Sequence, residues 1–262
     1  MTPVLPTSTM PAAPTVGPTS HAARQRRAPA RALCAAAFAG VAALGAGAPR
    51  TARSQLATVD EGTFTVSRAG ATLGREDFRI MRQPGPAAFM ARATGSYGDR
   101  RITPALQADE NGTPERYQVE VRRGGTVEQR VSAQAAGTHF RAQIQGDAGE
   151  AAREYVLEPG TVIVDDGLYH QYYFVVRRAG AAGAATRVPV LALRQGVQLP
   201  LWVTLDGSER MTVGGQSVEA RHYVLTDRAG GRREVWADAQ GRVLRVLLPA
   251  EGLDAVRNDA PR

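Results

Sequence analysis

The stretch Thr161–Arg178, TVIVDDGLYHQYYFVVRR, interrupts a chain that otherwise has the pattern of successive β-strands. It contains three of the seven tyrosines of the chain. Asp165 or Asp166 can cap a helix here, because apolar residues follow at the spacing of one helix face, namely Leu168, Tyr172 and Val176. The β-branched and aromatic content is also typical of a strand. We therefore expect a short helix, with a strand as the alternative.

Apolar and polar residues alternate on both sides of this stretch, which is the pattern of strands with one buried face. Phe78 and Ile80 share a face with Glu76, and Asn111-Gly112 has the composition of a tight hairpin turn. Further strands are predicted at Ala88–Gly95, Arg101–Ala108, Thr126–Ala133, His139–Gln145, Val188–Leu193, Leu199–Leu205, Val218–Thr226, Glu234–Ala237, Val243–Leu248 and Leu253–Arg257. Short connections and long strands predict a mainly β fold, a curved antiparallel sheet of meander-like half-barrel form with one short central helix.

The N-terminal region has the composition of a leader. Residues 1–20 are rich in Pro, Thr and Ala, and we expect them to be disordered. Residues 21–54 form a signal peptide region, because an Arg-rich segment precedes the short apolar run 32–48. The signal is expected at about 21–48 or slightly longer, and the alternative is an uncleaved anchor. The sequence thus predicts export to the bacterial periplasm or cell envelope, with residues 55–262 as a single β-rich domain.

The positive charge has a source other than nucleic-acid binding. The net charge is +7, and all 32 basic residues are arginine, which suggests codon bias. Four arginines fall in residues 21–48, so cleavage there lowers the net charge from +7 to +3. The remaining arginines alternate with acids along the strands, and we expect no nucleic-acid partner. The single cysteine, Cys34, lies in the signal region, which leaves a mature chain without disulfides or thiolates.

Recognisable catalytic motifs are missing from the sequence. It contains no G-x-S-x-G, no H-E-x-x-H and no Walker A motif, and no G-x-G-x-x-G follows a strand, so we expect neither an enzyme nor a cofactor. His139, His170 and His222 show no metal-ligand spacing, and no metal site is predicted. A hydrolase or metal enzyme would require two of these histidines near each other or near an acid. If Glu76 faces inward, we expect it at the rim or in a structural ion pair with an arginine.

Aromatic residues are the candidates for a ligand site. Trp202, Tyr169, Tyr173 and Phe174 are predicted to line an apolar cavity, because a curved sheet closed by a single helix leaves a hollow. The alternative is that the same side chains fill the core of a half-barrel.

Two segments carry a family resemblance. Leu73-Gly74-Arg75-Glu76-Asp77-Phe78-Arg79-Ile80 follows a strand and a turn, and Glu234–Asp238 continues through Gly241–Val246 to Pro249. Together they resemble uncharacterised exported bacterial β-rich proteins of the domain-of-unknown-function kind. Their architecture is similar to the lipoprotein-carrier superfamily of the cell envelope, the LolA/LolB-like half-barrels. The resemblance implies an incomplete antiparallel barrel wrapped on a helix, with a concavity for an acyl chain, although only one segment here can be helical.

These observations lead to two hypotheses of different kinds. The first is a monomeric, non-catalytic envelope half-barrel that binds a lipid or other apolar ligand. The second is a structural or protein-interaction module of the envelope, with a filled core, an envelope protein as partner and no ligand.

Overall fold

The structure is a computed structural model that describes residues 56–85, 87–147, 149–180 and 185–262. The predicted leader and signal peptide lie outside the described residues. The first eight strands are β1 Ala57–Arg68, β2 Ala71–Arg82, β3 Phe89–Tyr97, β4 Arg100–Ala108, β5 Pro114–Arg123, β6 Thr126–Ala136, β7 His139–Gly146 and β8 Gly149–Val156. The others are β9 Val162–Ile163, β10 Thr186–Ala192, β11 Val197–Val213, β12 Gln216–Thr226, β13 Arg232–Ala237, β14 Val243–Leu248 and β15 Leu253–Arg257.

All fifteen strands belong to one open, curved sheet. Strands β1 to β8 form one antiparallel meander, β10 to β15 form a second, and β1 joins the two by pairing with β15. The edges are β8 and the two-residue strand β9. The mainly β half-barrel predicted from the alternation is therefore confirmed.

One pair of strands departs from the predicted antiparallel pattern. Strand β9 runs parallel to β10, with Val162 opposite Val190 and Ile163 opposite Leu191. Parallel neighbours require a crossover connection, and here it contains a 3₁₀ turn at Tyr169–Gln171 followed by helix α1, Tyr172–Ala179. We call residues 164–171, which lead from β9 into α1, the crossover segment.

The first part of helix α1 is buried on every side, whereas Arg177 near its end is exposed. Five consecutive residues, Tyr172 to Val176, are each at most 4% exposed. A helical turn that is apolar all round belongs in a core, and the rings of Tyr173 and Phe174 pack edge-on against Phe89 of β3. The predicted short helix is thus confirmed, but it begins after the Asp pair, and Asp165 does not cap it because its carboxylate is engaged elsewhere.

A second, smaller apolar cluster lies apart from the main core. Val213 at the end of β11 and Ala220 of β12 are buried together with Trp236 of β13 and Leu244 of β14. The register between β11 and β12 shifts between Leu205 and Gly207, before the paired residues that join this cluster. A bulge bends a strand in this way.

Candidate functional site

An open cavity of about 960 Å³ lies inside the half-barrel. Its aliphatic wall is formed by Val66, Leu73, Ile102, Ile144, Leu248 and Leu253. Its charged lining consists of Arg68, Arg100, Arg153, Arg194, Glu128, Asp147, Glu150, Asp166 and Glu251. The cavity thus joins an aliphatic wall to ionised groups, a lining that suits an amphipathic molecule better than a wholly apolar one.

The crossover segment provides part of the cavity wall. Asp166, Gly167 and Tyr169 line the cavity, and so does Tyr97 of β3. The Tyr97 hydroxyl donates a hydrogen bond of 2.7 Å to the carbonyl of Gly167. Gly167 has φ +75°, and a Cβ there would lie 3.3 Å from Ile102 Cδ1 and 3.4 Å from the Tyr97 ring. A glycine is therefore needed where the segment turns against the cavity wall.

Glu76 of β2 holds the crossover segment from beneath. Its Oε2 accepts backbone N–H groups from Tyr169 at 2.7 Å and from His170 at 3.2 Å. Its Oε1 lies 2.5 Å from His170 Nδ1, and the two side chains are 0% and 1% exposed. One buried carboxylate thus satisfies the otherwise unpaired donors at the start of the 3₁₀ turn. The sequence led us to expect Glu76 at the rim or paired with an arginine, whereas in the structure it is buried and its partner is His170.

Asp165 fixes the other end of the crossover segment. Its Oδ2 accepts from the Tyr117 hydroxyl at 2.7 Å, and its Oδ1 accepts from the Arg194 backbone N–H at 2.9 Å. Gln171 closes the network, since its Oε1 accepts the Asp165 N–H at 2.7 Å. Burial raises the pKa of the Asp165 carboxyl to about 6, against the opposing effect of these hydrogen bonds.

Arg194 lies in the turn between β10 and β11, and polar contacts hold its side chain at the cavity. Its Nε donates to Gln129 Oε1 at 3.2 Å, and Gln129 Nε2 donates back to the Arg194 carbonyl at 2.9 Å. Its Nη1 donates to the carbonyl of Asp166 at 2.7 Å. These contacts link β6, the β10–β11 turn and the crossover segment around one guanidinium group.

The negative charge of the lining is distributed unevenly. Glu128 faces two guanidinium groups, at 3.2 Å from Arg100 and 3.7 Å from Arg123. Burial raises the pKa of Glu251, and the nearby Asp166 carboxylate raises it further. Asp166 and Glu251 thus place negative charge on the part of the wall beside the crossover segment, and the nearby Arg233 and Arg68 oppose the rise in the pKa of Glu251.

The structure does not bring the four predicted ligand-site residues together. Tyr169 lines the cavity. Tyr173 and Phe174 are buried in the core against Phe89. Trp202 is half-buried, lies between the inward-facing Leu201 and Val203, and is not part of the cavity lining. A ligand-binding role for these residues stays a prediction.

The three histidines lie in separate surroundings. His170 is buried against Glu76, and His139 begins β7. His222 stacks on Trp236 at 4.5 Å between ring centroids and contacts Asp206 at 3.3 Å and Glu234 at 2.9 Å. Within the described ranges, no three side chains of the His, Cys, Asp and Glu types cluster as a metal site would require.

Sequence reasoning missed the residues that organise this cavity. Arg153 and Arg194 had no local motif, and Glu76 gave only one signal, an acid on an otherwise apolar strand face.

Of the helices in the part of the chain that the structure describes, none is long and apolar enough to cross a membrane.

Comparison with known proteins gives a family and a fold. Residues 109–257 match the model of a domain of unknown function, DUF6134. The β-barrel-like protein of DUF1849 from Brucella abortus is similar in structure, with a TM-score of 0.54 at 8% identity, over 78% of this chain and 97% of that one. A DUF1089 family protein from Pseudomonas aeruginosa has a TM-score of 0.43 at 16% identity, over 67% and 90% of the two chains. No curated protein matches the sequence.

Proposed function

The chain belongs to the DUF6134 family of domains of unknown function, and we propose that it is a non-catalytic half-barrel of the bacterial cell envelope that binds a lipid or other apolar ligand. The observation that carries this proposal is the cavity of about 960 Å³ with its wall of six aliphatic side chains. Pockets that enclose organic ligands have volumes of roughly 300–1,000 Å³. An aliphatic wall left facing open space is stabilised when a ligand covers it.

The absence of recognisable catalytic motifs supports binding without chemistry. The two histidines that contact carboxylates in the described ranges are poorly placed to act on a ligand in this cavity. His170 and Glu76 are fully buried beneath the wall, and His222 is packed on Trp236, which belongs to the second apolar cluster. Neither imidazole is part of the cavity lining.

The first test is native mass spectrometry of the full chain expressed with export, followed by organic extraction of the purified protein. We expect a stoichiometric apolar adduct that the extraction removes. A mass without adduct, unchanged after incubation with a total lipid extract, would contradict the proposal. The same spectrum gives the oligomeric state, which we propose to be monomeric.

A matched pair of substitutions on β8 assigns the adduct to the cavity. Ala151 lines the cavity, whereas the next residue, Ala152, points to the opposite face of the strand. Ala151→Trp should fill the space and lower the occupancy, while Ala152→Trp should leave it unchanged. Equal occupancy in the two variants would place the ligand elsewhere.

The proposed location in the envelope needs a separate test, because the ligand experiment does not report where in the cell the protein lies. We propose that the segment at about 21–48 directs export and is removed. N-terminal sequencing of protein recovered from the periplasmic fraction should begin soon after residue 48. Recovery of the intact chain from the cytoplasm would contradict this part.

The alternative function, a structural or protein-interaction module, is favoured by one observation. The region around α1 is filled, since Tyr173, Phe174 and Phe89 pack edge to face. A mass without adduct together with a reproducible crosslinked envelope partner would support this alternative.

A further inference from the structure

Two arginine side chains of the cavity lining belong to elements that are not paired with each other in the sheet. Arg153 belongs to the edge strand β8, and Arg194 belongs to the turn between β10 and β11. No strand pairing joins β8 to β10 or β11. Arg153 lies close to Gly196, two residues after Arg194, because a Cβ on that glycine would be 3.3 Å from Arg153 Nε and 3.4 Å from Arg153 Cζ. The Arg153 guanidinium therefore packs on the backbone of the turn that carries Arg194.

The guanidinium group of Arg194 is held in place, but not all of its N–H donors have a partner. A guanidinium has five N–H donors, and the described contacts of Arg194 engage Nε and Nη1 only. Its Nη2 makes no hydrogen bond or ion pair with the residues that the structure describes. The contacts with Gln129 and the Asp166 carbonyl hold the group in place before a ligand arrives. Such preorganisation lowers the entropic cost of binding.

Arg153 also has a free positive charge. No carboxylate of the described chain lies within ion-pair distance of it, although its neighbour Glu154 pairs with Arg141 at 3.1 Å. Arg100, also in the lining, differs because it is paired with Glu128. Arg153 and Arg194 thus present unpaired donors to the same cavity.

A buried hydroxyl lies behind Arg153. Tyr155 follows two residues later on the same strand face, and its ring is 7% exposed. Its hydroxyl is buried and has no hydrogen-bond partner among the described residues. An unsatisfied buried hydroxyl is costly, and because Tyr155 does not line the cavity, an ordered water is the partner that we expect for it.

The remaining charges limit what the arginines can bind. Asp147, Glu150, Asp166 and Glu251 line the same cavity and would repel a second negative charge on a ligand. Glu128 is compensated by Arg100 and Arg123. A group with one negative charge, such as a carboxylate or a phosphodiester, therefore fits this surface better than a dianion.

We propose that Arg153 and Arg194 together bind the single negative charge of an amphipathic ligand whose aliphatic chain lies against Leu73, Ile102 and Leu253. This inference rests on the proposed function, because it names the class of ligand that the cavity takes. Guanidinium groups bind carboxylate and phosphate oxygens through paired, charge-assisted hydrogen bonds. The aliphatic chain supplies affinity, and the two arginines supply selectivity for the anion.

The test is isothermal titration calorimetry of the full chain, freed of bound lipid, with three probes. Decanoate carries the chain and the charge, decan-1-ol carries the chain alone, and inorganic phosphate carries charge alone. We expect decanoate to bind about tenfold more tightly than decan-1-ol, the equivalent of one charge-assisted hydrogen bond. Inorganic phosphate should bind much more weakly than either.

Three variants locate the effect. Arg153→Gln and Arg194→Gln should each weaken decanoate binding about tenfold and leave decan-1-ol unchanged. The control is Arg141→Gln on the neighbouring strand β7, which removes the same charge from an exposed side chain outside the cavity lining. It should change neither affinity. Circular dichroism of each variant verifies the fold, and the Arg153 variant is decisive because that side chain holds no other element by a hydrogen bond.

The outcomes separate this inference from the function on which it rests. Equal affinities for decanoate and decan-1-ol in the unsubstituted protein would overturn the anion site and leave apolar binding intact. Binding of neither probe would overturn both. Phosphate binding as tight as decanoate would indicate a free anion as the ligand, and an equal loss in the Arg141 variant would indicate a diffuse charge effect. Either of these two results would also overturn the inference.

Discussion

Removing the Glu76 side chain should destabilise the whole half-barrel. Glu76 is 0% exposed and accepts three hydrogen bonds, from the N–H groups of Tyr169 and His170 and from the His170 ring. Glu76→Ala leaves all three donors without their acceptor in a buried site. Breaking a buried pair by deleting one partner costs about 3–5 kcal/mol. We expect the free energy of unfolding to fall by that amount.

The size of the loss should depend on how much of the acceptor remains. Glu76→Gln keeps one carbonyl oxygen for the two N–H groups and loses the charged contact with His170, so we expect a loss of about 1.5–3 kcal/mol. The control is Glu61→Ala on β1, which removes a glutamate whose ion pair with Arg79 is more than half exposed. Exposed pairs contribute about 0–1 kcal/mol, so this variant should remain close to the unsubstituted protein.

The assay is urea unfolding of the full chain at neutral pH, followed by tryptophan fluorescence and by circular dichroism. Coincident curves from the two probes justify a two-state treatment. A double-mutant cycle of Glu76→Gln with His170→Phe, which keeps a ring to stack on Phe78, isolates the pair. We expect a coupling energy of about 0.5–3 kcal/mol. A coupling near zero, or a Glu76→Ala loss no larger than that of Glu61→Ala, would refute the reasoning.

Three further substitutions have directions that the structure fixes, each measured by urea unfolding. Burial raises the pKa of Asp165 from 3.8 to about 6, so the native state holds this proton more tightly than the unfolded state, and its contribution to stability is lost as the pH rises through about 6. Between pH 3.5 and pH 7, the free energy of unfolding of Asp165→Asn should therefore rise by about 3 kcal/mol relative to that of the unsubstituted protein, because a shift of about two pKa units corresponds to that energy. A difference between the two proteins that does not depend on pH would contradict this. Gly196→Ala should cost about 1–2 kcal/mol, because Gly196 has φ +69°, and an unchanged midpoint would argue against that backbone conformation. Arg257→Met should cost about 3–5 kcal/mol, because it leaves the buried carboxylate of Asp60, now 2.8 Å from Arg257 Nη1, without its partner. Adding Asp60→Asn should restore part of that loss, and no recovery would contradict a direct pairing.

The strands were predictable where the two faces of the sheet differ in polarity. Strand β5 alternates buried Tyr117, Val119 and Val121 with more exposed residues, and the period-two pattern shows this directly. Most of β8, by contrast, was missed, because seven of the eight residues in GEAAREYV are exposed. An edge strand that faces an open cavity has no apolar row to reveal it.

The helix was predictable in kind but not in its start. Apolar residues at the spacing of one helix face indicated it, and the Asp165-Asp166 pair suggested its cap. In the structure Asp165 instead accepts a hydrogen bond from Tyr117, which lies 48 residues earlier in the chain. The N–H group of Tyr169 at the start of the 3₁₀ turn donates to Glu76, which lies 93 residues earlier. Capping preferences describe local partners only, so a donor satisfied by a distant strand gives no signal in the sequence.

The cavity itself depends on contacts that no local pattern encodes. Arg153 and Arg194 lie on elements that are not neighbours in the sheet, and only the curvature of the sheet brings them to the same opening. The positions of the aromatic residues relative to the cavity could not be predicted for a related reason. In a strand that is apolar on both faces, as around Trp202, the sequence does not tell which face is inward.

The buried charges and the open cavity belong to one arrangement. The crossover segment is polar on the side that faces the core and contributes Asp166, Gly167 and Tyr169 to the cavity on the other. Glu76 is tolerated in the core because it accepts hydrogen bonds from donors of this segment, and Asp165, which belongs to the segment, because it accepts from Tyr117 and from the Arg194 backbone. Together these contacts fix the wall that a ligand would contact. Stability and binding are then linked, since a ligand that binds only the native state adds to the free energy of unfolding. A substitution such as Glu76→Ala that releases the segment should weaken ligand binding, although Glu76 itself does not line the cavity.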